Sequence, residues 1–217
     1  MWCGLLFALL VAAEASLVVQ TQEGTLVGIQ LSVPGNPSAT ADAFLGIPYA
    51  ESVSGAQRWT ASVKKQPWSG SLNATAFGPG CPQLCELPPG TCPVTQDEDC
   101  LTLNVYAPSG TRQGLSVLVF LPGGRFEQGA SDTYLYDGRY LVQMRQVIVV
   151  TVNYRLGALG FLYTPGGEAQ GNYGVQDQLL ALQWVQRNIA AFGGDPTKVS
   201  RLVRRPGQLL TFVPGDA

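Results

Sequence analysis

The hydrophobic and polar positions of this chain fall into segments of different period. Residues 17–19 and 25–31 are rich in β-formers and joined through Gln22-Glu23-Gly24, which predicts an N-terminal antiparallel hairpin. Pro34-Gly35-Asn36-Pro37 marks the next turn, and Ala43-Phe44-Leu45 a short strand ahead of Gly46-Ile47-Pro48. Residues 101–106 alternate apolar and polar, as a half-buried strand does. Residues 115–121 and 147–152 are almost continuously apolar and rich in valine, the pattern of strands buried on both faces under covering helices. Val175, Leu179, Leu182, Val185, Ile189 and Phe192 then recur at three- and four-residue intervals, which predicts a helix with that stripe inward. Asn172 suits its N-cap, Asp177 its first turns, and Gly193-Gly194 its stop. A mixed α/β sheet follows. No internal repeat or low-complexity segment interrupts it.

Composition narrows the setting. The 217 residues are 46% hydrophobic with a formal net charge of −2. That is enough apolar material for a core, in one or two domains. It offers no basic stripe for nucleic acid and no polybasic patch for a membrane surface, so neither partner is expected. Residues 5–13 form an apolar run, and Ala13-Glu14-Ala15 a small-x-small cleavage site before Ser16, which predicts a signal peptide over residues 1–15. Met1-Trp2-Cys3 departs from that pattern in carrying no Lys or Arg. The run is too short for a membrane span.

With the leader removed, Cys81, Cys85, Cys92 and Cys100 remain, and their proximity in a secreted chain predicts two disulfides with three pairings open. The sequence has no histidine, and the cysteines do not form a CxxC pair, so neither a zinc site nor another metal or cofactor is expected. Asn73-Ala74-Thr75 is an N-glycosylation sequon that a secretory route would expose to modification.

Longer motifs say more than periodicity. Phe44-Leu45-Gly46-Ile47-Pro48-Tyr49-Ala50, Gln66-Pro67-Trp68-Ser69-Gly70 and Glu98-Asp99-Cys100-Leu101-Thr102-Leu103-Asn104 follow one another in order. Then come Val152-Asn153-Tyr154-Arg155-Leu156-Gly157, Gly171-Asn172-Tyr173-Gly174 and Phe192-Gly193-Gly194-Asp195-Pro196. The ordered set resembles the type-B carboxylesterase/cholinesterase family over roughly residues 17–200. The resemblance implies the N-terminal portion of an α/β-hydrolase fold, incomplete, with a mixed, mostly parallel central sheet behind the antiparallel hairpin. It implies a Cys81–Cys100 disulfide, leaving Cys85 and Cys92 as a local pair or as two thiols. It implies ion pairs of Arg58 with Glu98 and of Arg155 with Asp177, and small carboxylic esters as the family's substrates.

The chemistry of such an esterase needs a serine nucleophile in Gly-x-Ser-x-Gly, a histidine base, an orienting acid and an oxyanion hole of backbone N–H groups. The chain holds no Gly-x-Ser-x-Gly and no histidine. Leu121-Pro122-Gly123-Gly124-Arg125-Phe126 matches the family's His-Gly-Gly-Gly loop, with Pro122 in place of the histidine and Arg125 in place of the third glycine. Gly123 and Gly124 are the remnant of that hole. No residue is assigned as catalytic, and the chain is expected not to be an enzyme. The loop between Cys81 and Cys100 has no tryptophan, which weakens a choline-ester reading, and Trp59 and Trp68 read as packing residues.

The resemblance stops near Val199-Ser200, so the organisation expected is a signal peptide (1–15), a partial hydrolase domain (16–200) and a divergent tail (201–217). Such a break suggests a frame or splice change, and a sheet in which strand 147–152 lacks a neighbour. The leading reading is a truncated, inactive carboxylesterase-family chain, secreted if it folds and otherwise retained in the endoplasmic reticulum. The alternatives are a secreted cholinesterase-like binding or adhesion protein, and a fragment of a longer active serine esterase.

Overall fold

The Gln-Glu-Gly turn does join two strands. β1 (Leu17–Gln20) and β2 (Thr25–Val33) pair antiparallel from Leu17↔Gly28 to Gln20↔Thr25. The Thr21 hydroxyl and N–H both donate to Gly24 O, at 2.7 and 3.0 Å, and close the turn. The computed structural model describes residues 17–88, 90–110, 112–205 and 208–212, with side chains through 202. The signal-peptide segment and the far end of the tail lie outside the described residues.

After the turn at Pro34 and Gly35 the chain runs as β3 (Asn36–Pro48), much longer than the short strand expected around Phe44. β4 (Ser71–Asn73) pairs with β2 in parallel. β5 (Thr102–Pro108), β6 (Leu115–Leu121), β7 (Ile148–Val152), β8 (Gly194–Arg205) and β9 (Gln208–Phe212) complete the described strands. The sheet order is β1-β2-β3-β5-β7-β6-β8-β9. Besides β4, parallel pairing occurs where β7, β6 and β8 meet; the N-terminal half is antiparallel, as is β8 with β9.

Three helices sit between strands: α1 (Arg139–Arg145), α2 (Gly157–Phe161) and α3 (Tyr173–Asn188), the last followed by a 3₁₀ turn over Ile189–Phe192. α3 and this turn cover one face of the sheet, where Trp184, Val185, Ile189 and Phe192 share a core with Phe44, Val105, Val117, Val119 and Val150. Phe192 meets Phe44 edge-on at 5.0 Å and Trp184 at 6.0 Å. Aromatic contacts of this kind add about 1 kcal/mol beyond the area they bury. On the other face Val142 of α1 packs over Tyr106, Val149 and Leu45.

Further expectations change in the folded chain. β7 does not lack a neighbour: it is paired by β5 on one side and β6 on the other, and residues 199–203 add their strand to the far side of β6 rather than to β7. β5 is buried almost throughout rather than on one face, because its polar Asn104 is fully hydrogen-bonded inside. β6 is buried only at alternate positions: Leu118 and Phe120 are half-covered, Phe120 against the Tyr136 ring at 4.2 Å.

The helical stripe is also rotated. Val175 and Leu179 are 47% and 56% exposed, while Tyr173, Gly174, Asp177, Ala181, Trp184, Val185 and Asn188 are buried. Small residues at 174 and 181 let the helix approach the sheet, and the polar members of the inward face have partners there. Asn172 precedes the helix in the left-handed region (φ 58°) and makes no side-chain cap bond. Gly193, also left-handed (φ 87°), ends the 3₁₀ turn, and β8 begins at Gly194.

Candidate functional site

The motif residues converge at one end of the central strands, and Arg155 organises them. It follows β7 directly and is 2% exposed. Its Nε and Nη2 donate to Asp177 Oδ2 and Oδ1, each at 2.8 Å, and its backbone N–H donates to Oδ2 at 3.0 Å. Its Nη1 donates to the carbonyls of Arg58 and Thr60 at 3.0 and 2.9 Å, and its guanidinium lies 5.2 Å from the Tyr173 ring centre. A buried charge pair is tolerated when its remaining donors are satisfied, and here they are.

The glycines of the flanking motifs follow from the same residue. A Cβ on Gly160 or Gly174 would collide with the Arg155 carbonyl oxygen, and one on Gly174 would also stand 2.7 Å from the Phe161 ring. α2 and α3 therefore close over Arg155 only with glycine at both positions.

The second ion pair lies on the outer side of the first. Arg58 Nε donates to both Glu98 oxygens at 2.9 Å, with Nη2 2.6 Å from Oε1, and both side chains are partly exposed. The hydrogen bond from Arg58 lowers the Glu98 pKa below the usual carboxylate value. Because the Arg58 carbonyl accepts from Arg155, the two pairs join into one strut. Trp59 is 40% exposed beside the Arg58 guanidinium, 5.6 Å from it, rather than in the core. Trp68 does pack, and its Nε1 donates to Thr25 O at 3.2 Å.

Cys81 bonds to Cys100, and Cys85 to Cys92 within the loop so closed, with Cα separations of 5.0 and 5.9 Å. The nested loop grips the glycine loop after β6. Gln83 accepts from Gly129 N–H at 2.7 Å and donates to Gly129 O at 3.0 Å, and Glu86 N–H donates to the Gln128 side chain at 2.8 Å.

Gly123 and Gly124 enter this loop as β6 ends. Gly124 O accepts from Glu127 and Gln128 N–H groups, at 3.0 and 3.2 Å, while Arg125 and Phe126 both take left-handed φ values of 58° and 63°. The backbone thus keeps a glycine-type conformation at Arg125. Tyr154 fixes the near end by donating to Pro122 O at 2.6 Å, and burial pushes its hydroxyl pKa up to about 12. Gly157 N–H fixes the far end on Phe126 O at 2.7 Å. The Arg125 guanidinium projects outward at 71% exposure, 3.1 Å from Glu127.

Other buried polar groups here carried no clear sign in the sequence pattern. Asn104 accepts from Gly46 N–H at 2.8 Å and donates to Ser131 Oγ and Thr151 Oγ1 at 3.1 and 2.9 Å. Gly46 is left-handed (φ 67°) at the bulge of β3, and a Cβ there would stand 2.6 Å from Ala76 O. Asn153 accepts from Ser131 N–H at 2.8 Å, and its carbonyl accepts from Tyr49 at 2.7 Å.

At the opposite end, Glu23 is buried in the hairpin turn against Lys64 and Arg187, at 3.2 and 3.5 Å, with Asn188 donating to it at 2.8 Å. Only its place in the Gln-Glu-Gly turn marked it beforehand. Among the described residues no cluster of His, Cys, Asp and Glu forms a metal-binding group, and no helix is long and apolar enough to cross a membrane. Asn73 ends β4 with an exposed side chain.

A mixed sheet with a glycine loop after β6, an arginine strut after β7 and a Cys–Cys loop clasping both defines the N-terminal part of an α/β-hydrolase. The chain belongs to the carboxylesterase family, whose model matches residues 15–203. It is 44% identical to acetylcholinesterase from Danio rerio over 198 residues, covering 87% of this chain and 31% of that protein. It is 42% identical to cholinesterase from Mus musculus over 196 residues, covering 86% of this chain and 32% of that one. It therefore spans about a third of the length of these relatives.

Proposed function

We propose that these 217 residues form the N-terminal part of a carboxylesterase-type domain and do not themselves hydrolyse carboxylic esters. One observation carries the reading: the sequence contains neither histidine nor Gly-x-Ser-x-Gly. A serine hydroxyl without a base stays protonated and is a weak nucleophile, and loss of a triad member costs orders of magnitude in rate. The left-handed Arg125 in the glycine loop and Pro122 before it support the same reading.

The nested disulfides and the leader-like N-terminus support passage through an oxidising secretory compartment. Incubation of the purified chain with a serine-directed phosphonate ester tests the absence of an activated serine. The expected mass spectrum shows unmodified protein. Stoichiometric labelling of one serine overturns the proposal.

A further inference from the structure

The two disulfides differ in what surrounds them. Cys81 and Cys100 are 1% and 0% exposed and belong to the main hydrophobic core. Cys85 and Cys92 are partly exposed, and Leu84, Glu86, Pro88 and Gly90 around them face solvent, Leu84 at 82%. This outer bridge links residues 7 apart in sequence, the inner one residues 19 apart, and the shorter span constrains the unfolded chain less. The two flanks of the outer bridge are anchored on different parts of the protein. On the Cys85 side, Gln83 exchanges hydrogen bonds with Gly129, and Glu86 N–H donates to Gln128 Oε1 at 2.8 Å. On the Cys92 side, Thr91 and Pro93 are buried, and a Cβ on Gly80 would stand 2.5 Å from Pro93 Cβ. Gln128 in turn closes on Gly124: its N–H donates to the Gly124 carbonyl at 3.2 Å, and a Cβ on Gly124 would collide with its carbonyl oxygen. The Cys85–Cys92 bond therefore braces the contacts that hold the glycine loop against the buried flank of Cys92.

From this placement we infer that Cys85–Cys92 is a thiol-exchange site: a dithiol reductant opens it while Cys81–Cys100 stays closed, and opening loosens the glycine loop at Gly124 and Arg125. A thiolate of the reductant bonds to one of the two Sγ atoms, the Sγ–Sγ bond breaks, and the other cysteine leaves as a thiolate that takes up a proton. The second thiol of the reductant, deprotonated, then displaces the first cysteine and closes the reductant's own disulfide. Two electrons and two protons pass to the protein, which now holds two thiols. Exchange needs access for the incoming thiolate, which solvent provides at the outer bridge and the core denies at the inner one. With the outer bridge open, Gln83 is still tethered through Cys81 two residues before it. Glu86 loses its cross-link, and its hold on Gln128 weakens with it. The core around Cys81 and Cys100 is untouched, so the loosening stays local.

The test titrates the purified full chain, any free thiol first blocked with iodoacetamide, with dithiothreitol under native conditions, followed by N-ethylmaleimide and peptide mass mapping. Cys85 and Cys92 are expected to be labelled at a dithiothreitol concentration about tenfold below that needed for Cys81 and Cys100, with tryptophan fluorescence unchanged at that point. Labelling of all four together, or of Cys81 and Cys100 first, overturns the inference. The coupling is read by brief trypsin digestion, as cleavage after Arg125 relative to cleavage after Arg112, both exposed. That ratio is expected to rise severalfold in the selectively reduced chain, and to the same extent in Cys85→Ser/Cys92→Ser without reductant. An unchanged ratio in the selectively reduced chain overturns the coupling to the glycine loop.

Discussion

Arg155 and Asp177, 22 residues apart, form a two-pronged ion pair with side chains 2% and 0% exposed, and the Arg155 guanidinium also binds the carbonyls of Arg58 and Thr60. Removing one member leaves the other charge buried without its partner. Asp177→Ala is therefore expected to cost about 3–5 kcal/mol, a large share of the about 5–15 kcal/mol that holds a domain of ordinary stability. Urea unfolding followed by tryptophan fluorescence checks it; a loss under about 1 kcal/mol contradicts the strut.

Gly174 admits α3 to the Arg155 carbonyl. An added methyl there forces either α3 or Phe161 outward, and Gly174→Ala is expected to destabilise by about 1–3 kcal/mol despite alanine's better helix propensity. The same substitution at Gly55, whose Cβ would meet nothing within 4 Å, separates contact from conformation: there the left-handed φ of 59° alone sets the cost. Thermal unfolding of the two variants should rank Gly174→Ala as the more damaging.

Arg125 sits at φ 58°, a conformation that costs a side-chain-bearing residue about 1–2 kcal/mol. Its ion pair with Glu127 is solvent-exposed and contributes little. Arg125→Gly is expected to be more stable than Arg125→Ala by about 1 kcal/mol, because only glycine relieves the backbone. Equal midpoints for the two variants in denaturant would show that the loop is not held in this conformation.

Carboxylates here push the pH dependence in opposite directions. The Arg58 hydrogen bond lowers the Glu98 pKa, and Thr197 holds Asp195 down to about 2, so both favour the folded state above their unfolded values of 4.5 and 3.8. That contribution disappears as pH falls through the lowered pKa values. Burial raises the Asp132 pKa, so its contribution is fully present below 3.8 and lost as pH rises through the raised value. Asp132→Asn is therefore expected to be more stable than the native chain at pH 7, with the advantage vanishing below pH 3.8. Unfolding curves across that range check the sign.

The parts of this fold legible in the sequence are those where local pattern and burial coincide. Ile148–Val152 is apolar at nearly every position and buried on both faces, and the Gln-Glu-Gly turn joins two β-rich runs. The strut was readable only by resemblance, because a lone Arg after a strand and an Asp in a helix ordinarily face solvent. The orientation of α3 was not readable. Its most apolar stripe contains the exposed Val175 and Leu179, while its inward face owes its place to Gly174, Ala181 and the partners of Asp177 and Asn188. Periodicity detects apolarity, not a satisfied polar group. That β7 lies between β5 and β6, with residues 199–203 beyond β6, is set by contacts across the sheet that no local pattern encodes.

A chain with neither histidine nor Gly-x-Ser-x-Gly is expected not to turn over carboxylic esters. The most direct measurement is turnover of a chromogenic short-chain carboxylic ester by the purified, disulfide-bonded chain at neutral pH, against buffer and against the reduced, unfolded chain. No saturable rate above the unfolded control is the predicted result. Saturable hydrolysis that is lost on unfolding and blocked by a serine-directed phosphonate would contradict the account.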